Sequence, residues 1–230
     1  MKGLMRAVLA LVTPLLLWGC VLTPGKFVSS LTINADRTFV FAYKGQVIAV
    51  DPSAAMKGIG EIKPAEGEDA KANAPKPDSS AEADLDAKNR AIAAALMKEA
   101  GYRSVVYLGK GKFDIDYVIS GSLTHAFLFP FNADAQAIIP FVMVEVRQGG
   151  TVRVRAPGFA SNQSGAMTGM GGGASAAPKF LDGVFTLDTD AEIVSQNNED
   201  GAKIVGARKQ IIWRVTPLTR DEPSGVLRLK

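Results

Sequence analysis

Few side chains in this sequence offer nucleophilic or metal-binding chemistry. Cys20 is the sole cysteine and His125 the sole histidine among 230 residues. A lone thiol rules out an intramolecular disulfide even in an oxidising compartment, and it leaves Cys20 as a nucleophile awaiting modification. A Ser-His-Asp triad would have to recruit His125, yet no G-x-S-x-G turn accompanies it, and metal sites usually recruit more than one His or Cys. His125 therefore reads as a structural residue at the end of a strand. Asp114 and Asp116 stand two apart on a predicted strand and so share a face, where paired carboxylates can divide acid and base roles. Because Phe113, Ile115, Tyr117 and Ile119 fill the other face, a solvated strand surface is the simpler expectation. Asp188, Asp190, Glu192 and Glu199 imitate part of a calcium loop, but Ile193 occupies the sixth position, where the sharp turn needs glycine. A strand pair joined by a loop at 197–201 accounts for them better. Gly109-Lys110-Gly111 lacks the third glycine and the following helix of a dinucleotide site, and no G-x-x-x-x-G-K-[ST] phosphate loop occurs. Neither a cofactor nor a metal is expected.

The segment that positions Cys20 is more informative. Lys2 and Arg6 form a short positive region, followed by an apolar run over 7–18 that reads as the core of an export signal. That run falls short of the ~20 apolar residues a spanning helix needs, and Pro14 interrupts it. It directs export rather than spanning. The run ends Leu17-Trp18-Gly19-Cys20, which resembles the lipobox of bacterial lipoproteins: an aliphatic residue, a variable one, a small one, then cysteine. Trp18 is bulkier than the residue usual at its position. The resemblance implies that residues 1–19 are a lipoprotein signal peptide and that Cys20 becomes the lipidated first residue of the mature chain. It also implies acylation of the new amino group, with palmitate-like chains. Each buried CH₂ contributes about 0.8 kcal/mol, so two or three chains anchor stably where one does not. By the same resemblance, Val21 rather than Asp after the cysteine implies sorting to the outer membrane, facing the periplasm.

Lys2 and Arg6 are two of the 26 basic residues, so their removal leaves 24 against 23 acidic ones. A nearly neutral mature chain supports neither a nucleic-acid groove nor a polybasic membrane patch. Membrane attachment is expected to rest on the lipid alone.

Residues 27–34 alternate, with Phe27, Ser29, Leu31 and Ile33 on one side, and 38–50 places Phe39, Phe41 and Tyr43 on one face. Around a short polar turn this predicts a β-hairpin. Between 63 and 84 the only apolar residues are Ala and Pro, too little to offset the ordering entropy, so 52–78 is expected to be a mobile insertion. Ser79-x-x-Glu82 then matches a capping box, and Leu85, Ile92, Ala93, Leu96, Met97 and Ala100 form a helical stripe ending at Gly101. Strand patterns follow at 104–108, 113–124, 138–147 and 151–155, with Gly149-Gly150 as a tight turn. A glycine-rich stretch at 157–178 reads as a second mobile insertion. Strands return at 183–188, 191–195, 203–205, 210–216 and 226–229. The order predicts a single α+β domain over 20–230, a mostly antiparallel curved sheet or partial barrel carrying one main helix.

The pieces Leu22-Thr23-Pro24-Gly25-Lys26, Phe113-Asp114-Ile115-Asp116-Tyr117, Asp182-Gly183-Val184-Phe185-Thr186-Leu187, Trp213-Arg214-Val215 and Leu227-Arg228-Leu229 resemble a group of uncharacterised lipoproteins of Gram-negative bacteria. In layout the chain is more distantly similar to mycobacterial LppM-type lipoproteins, for which lipid binding has been proposed. Neither resemblance assigns catalytic residues, and layout does not imply function. The expectation is a membrane-anchored, non-enzymatic envelope lipoprotein that binds an apolar ligand or a partner protein. Alternatives are a carboxylate-dependent hydrolase using Asp114 and Asp116, or a purely structural envelope component. Three aromatics beside a proline at 127–131, with Ile138-Ile139-Pro140-Phe141 nearby, are more apolar than a short connection requires. Core packing with a flexible connection is the simpler reading of them; the alternative is that Phe127, Phe129, Phe131 and Phe141 meet a ligand or the bilayer beside the anchor.

Overall fold

The computed structural model describes residues 21–50, 79–130, 140–161 and 180–230. Cys20, Phe131, Ile138, Ile139, the expected insertion at 52–78 and most of that at 157–178 lie outside the described residues.

Two long strands open the fold. β1 (Val21–Ile33) and β2 (Thr38–Val50) pair antiparallel around a turn in which Asn34 N–H donates to the Thr38 carbonyl at 2.9 Å. Phe27, Ser29, Leu31 and Ile33 of β1 and Phe39, Phe41 and Tyr43 of β2 are buried, as the alternation predicts. β1 is irregular between Pro24 and Phe27, opposite Gly45. Gly45 has φ +148°, and a Cβ there would stand 2.2 Å from the Lys26 carbonyl oxygen, so only glycine lets the two backbones approach this closely.

The chain continues through α1 (Ser79–Leu96), β3 (Tyr102–Gly109), β4 (Lys112–Ser122), β5 (Phe127–Phe129), β6 (Val142–Val146), β7 (Thr151–Arg155), β8 (Asp182–Thr189), β9 (Glu192–Gln196), β10 (Lys203–Val205), β11 (Arg208–Val215) and β12 (Ser224–Arg228). Seven strands form one sheet in the order β10-β11-β8-β1-β2-β4-β3, and five form a second in the order β5-β6-β7-β12-β9. The fold is α+β, and neither sheet closes into a barrel. One pairing departs from the antiparallel pattern: β8 enters from the same end as β1 and runs parallel to it, Lys26 opposite Asp182. A second correction concerns the loop at 197–201, which joins strands of different sheets rather than a pair, since β9 lies in the five-stranded sheet and β10 in the seven-stranded one.

Aromatic rings fill the space between the sheets. Phe159 stacks on Phe27 with centroids 4.2 Å apart and reaches Phe185 at 5.5 Å, while Phe129 lies 4.7 Å from Tyr117 and 5.2 Å from Tyr43. Phe159 corrects the expectation that 157–178 is mobile from its first residue. Pro157–Phe159 form a 3₁₀ turn, Phe159 is fully buried, and a Cβ on Gly158 would stand 2.5 Å from the Phe141 Cα.

α1 begins at Ser79, where the capping pattern places it, but its contact with the sheet is not the predicted apolar stripe. Leu85, Ile92 and Met97 are exposed, and the buried positions are Asn89 and Ala93. The Tyr107 hydroxyl of β3 donates to the Asp86 carboxylate and accepts from Asn89 Nδ2 at 3.2 Å and from Gly111 N–H at 3.1 Å. A buried amide and a half-buried carboxylate that share one phenol are satisfied polar groups, and they replace the apolar ridge as the helix's attachment.

Candidate functional site

Among the described residues, β9 pairs with β12 on one side and with no strand on the other. Its register against β12 shifts at Val194, between the pairs Ser195–Val226 and Ile193–Leu227. Such a bulge bends an edge strand and turns side chains outward. Val194 is 45% exposed here.

Beside this edge runs a groove of about 400 Å³, open to solvent and lined by Glu192, Ile193, Val194, Ser195, Gln196, Ala202 and Lys209. Both ends are fixed by hydrogen bonds between the sheets. At one end Lys209 Nζ donates to the Ala191 carbonyl at 3.1 Å; at the other Asn198 Nδ2 donates to the Ile212 carbonyl at 2.9 Å. Asn197 extends the second clamp. Its Oδ1 accepts from Trp213 Nε1 at 3.2 Å and from Ser224 N–H at 2.9 Å, and its Nδ2 donates to the Glu222 carbonyl at 2.8 Å. Ile204, 81% exposed, pairs with Lys209 and so shares its face of the β10–β11 ribbon.

The groove's charged groups are engaged structurally. Glu192 accepts from Arg228 Nη1 at 3.0 and 3.2 Å, and the Lys209 ammonium is held by a backbone carbonyl. Its remaining offer is an exposed strand edge flanked by Ile193, Val194 and Ala202, which suits an extended backbone better than a reacting carbonyl. A groove this open cannot enclose most of a small ligand, as small-molecule sites do.

The predicted chemistry disperses on the structure. Asp114 and Asp116 lie on the outer face of the large sheet, opposite Gln46 and Lys44, and do not share a closed cleft. His125 is exposed beside Thr124, whose Oγ1 lies 2.9 Å from its Nδ1. Asp188 pairs with Arg208 and accepts from Gln210 Nε2 at 2.9 Å, Asp190 accepts from Ala35 N–H at 2.7 Å, and Glu192 faces Arg228. The imitated calcium loop is thus three separate structural contacts, and the described residues hold no cluster of three metal-ligating side chains.

The aromatic loop also requires correction. Phe129 and Phe141 are enclosed in the core, and Phe127 is half-buried against Phe39 and Phe41, each at 5.2 Å. These rings cover one another and the inner face of β2, so the apolar density seen in sequence is core packing rather than a bilayer contact. Phe39 adjoins the β1–β2 turn, whereas Val21 lies at the other end of β1, up to ~40 Å away at ~3.3 Å per residue. Phe127 therefore lies toward the opposite end of the sheet from Val21.

Sequence reasoning missed the groove. Strand patterns at 191–195 and 203–205 were visible, but nothing in them said that the two belong to different sheets.

No protein-family model matches this chain, and no match is found among curated proteins. Among solved structures the chain is similar to the folded domain of the Mycobacterium tuberculosis LppM protein, determined by NMR, at 16% identity over 90% of this chain and 91% of that one, with a TM-score of 0.34.

Proposed function

We propose that this protein is an exported lipoprotein, anchored through Cys20 and sorted to the outer membrane facing the periplasm, whose domain binds an extended segment of a partner protein without catalysis. Two pieces support it. The lipobox-like Leu17-Trp18-Gly19-Cys20 ends one residue before β1 begins at Val21, so cleavage ahead of Cys20 leaves every described strand intact. The open edge of β9 carries the binding half of the reading: unpaired backbone in a groove with apolar flanks is the geometry of strand addition. An apolar ligand between the sheets is less favoured, because rings such as Phe129, Phe141 and Phe159 already occupy that space.

Labelling with a radioactive fatty acid tests the anchor; undiminished label on Cys20→Ser would remove it. A photo-crosslinking residue placed at Ser195, and for comparison at the exposed Val28 on the outer sheet face, tests the groove. Adducts of one protein at Ser195 and not at Val28, lost on Val194→Pro, are expected. Equal capture at both positions would overturn the strand-addition reading.

A further inference from the structure

The first strand leaves the anchor no linker. With β1 beginning at Val21, acyl chains on Cys20 would bring the start of this strand to within a residue or two of the headgroups, at ~3.4 Å per residue. The register identifies what lies beside it. Ala49 pairs with Leu22 and Ile48 with Thr23, while Ile48 also pairs with Lys112, and Ala49 N–H donates to the Gly111 carbonyl at 2.8 Å. The β3–β4 turn, with exposed Lys110 and Leu108 (51% exposed), therefore sits at the anchor end of the sheet. β8 enters from this end too and brings Phe180, 63% exposed, whose ring centroid lies 6.0 Å from the Lys112 ammonium. Lys26 is exposed where β8 begins, next to Asp182; the other carboxylates near this end are Asp114, two residues after Lys112 on β4, and Asp86, which is engaged by the Tyr107 hydroxyl. Asp36 and Asp190 lie at the opposite end, by the β1–β2 turn.

We infer that this end of the large sheet docks on an anionic bilayer surface, with Lys26, Lys110 and Lys112 toward the lipid phosphates and Leu108 and Phe180 in the interfacial layer. Sequence composition hides the feature, since the mature chain is nearly neutral and Lys26 is brought toward Lys110 and Lys112 only by strand pairing. A lysine ammonium placed over the face of an exposed aromatic ring, as Lys112 is over Phe180, pairs a cation with an apolar ring in the way the headgroup region favours. Each lysine near an anionic surface strengthens binding about fivefold, so three give on the order of a hundredfold. This inference rests on the anchor proposed at Cys20, which fixes the end that meets the membrane.

Two measurements separate the docking from the anchor. In the lipidated protein reconstituted into vesicles, amide exchange at 108–112 is expected to slow when phosphatidylglycerol is added to phosphatidylcholine, and to lose that response in Lys110→Gln/Lys112→Gln. In the mature chain, 20–230, carrying Cys20→Ser, co-sedimentation with phosphatidylglycerol vesicles is expected to weaken on the order of a hundredfold in Lys26→Gln/Lys110→Gln/Lys112→Gln, with an unchanged circular dichroism spectrum. Equal exchange in both vesicle types, or sedimentation indifferent to the triple substitution, overturns the docking even if Cys20 carries lipid. Charge-dependent sedimentation without fatty-acid label on the native chain upholds the docking surface and overturns the anchor.

Discussion

Tyr107 donates its phenolic hydrogen bond to Asp86, and through that one oxygen α1 is tied to the sheet. The same oxygen accepts from Asn89 and from the Gly111 amide, so it links the helix, β3 and the β3–β4 turn. Tyr107→Phe leaves the Asp86 carboxylate and the Asn89 amide without that partner. Leaving such groups unsatisfied costs about 1–3 kcal/mol. Amide exchange over Ser79–Leu96 is expected to accelerate while β1 and β2 keep their protection; unchanged exchange in the helix would show that its attachment lies elsewhere.

Truncating Phe129 should behave as a core deletion. The ring touches Phe41, Tyr43, Tyr117 and Phe141, with centroids between 4.7 and 6.0 Å. Phe129→Ala is expected to cost about 3–5 kcal/mol, which at this chain length lowers the melting temperature by roughly 10 °C. A shift under ~2 °C would mean that the ring is not part of the core.

Three tyrosines give the fold an alkaline limit. Burial raises the phenol of Tyr43, raises that of Tyr117, and pushes that of Tyr102 up to about 12. A phenol harder to ionise in the folded state than in the unfolded chain leaves stability unaffected below the ordinary value near 10. Above it, stability falls, because the unfolded chain releases protons that the native one retains. Urea midpoints measured between pH 7 and 9.5 should agree and then decline from pH 10 to 12. A flat profile to pH 12 would contradict the burial of these hydroxyls.

What could be read from sequence follows from where each signal is local. Alternation in β1 and β2 fixed which face is buried, because a strand's period ties Phe27, Leu31, Phe41 and Tyr43 to one side regardless of what covers them. The helix stripe misled for the converse reason. Ala93 was on it, but Asp86 and Asn89 became contacts only because Tyr107, eighteen or more residues away, supplies a hydroxyl. Likewise the aromatic run beginning at Phe127 looked like an exposed surface since density of rings does not say what faces them. The groove was invisible because the loop after Gln196 leaves one sheet for the other, and a run of Asn, Asp and Gly reads the same in a hairpin as in a crossover.

The groove's width depends on its two clamps. Lys209 holds the Ala191 carbonyl and Asn198 the Ile212 carbonyl, so β9 is pinned to β11 just outside each end of its open edge. Each bond is a side chain to backbone contact worth about 1 kcal/mol, a small part of the stability of such a domain. Asn198→Ala and Lys209→Met are therefore expected to fold normally and to lower stability by about 1 kcal/mol each. Their effect on β9 should be larger in proportion, since an edge strand paired on one side opens at lower cost than the sheet's interior. Exchange at Ile193, Val194 and Ser195 should rise most in the double variant, and crosslinking from Ser195 should fall with it. If exchange rises while crosslinking persists, the groove's fixed width is irrelevant to binding, and the backbone edge alone recognises the partner.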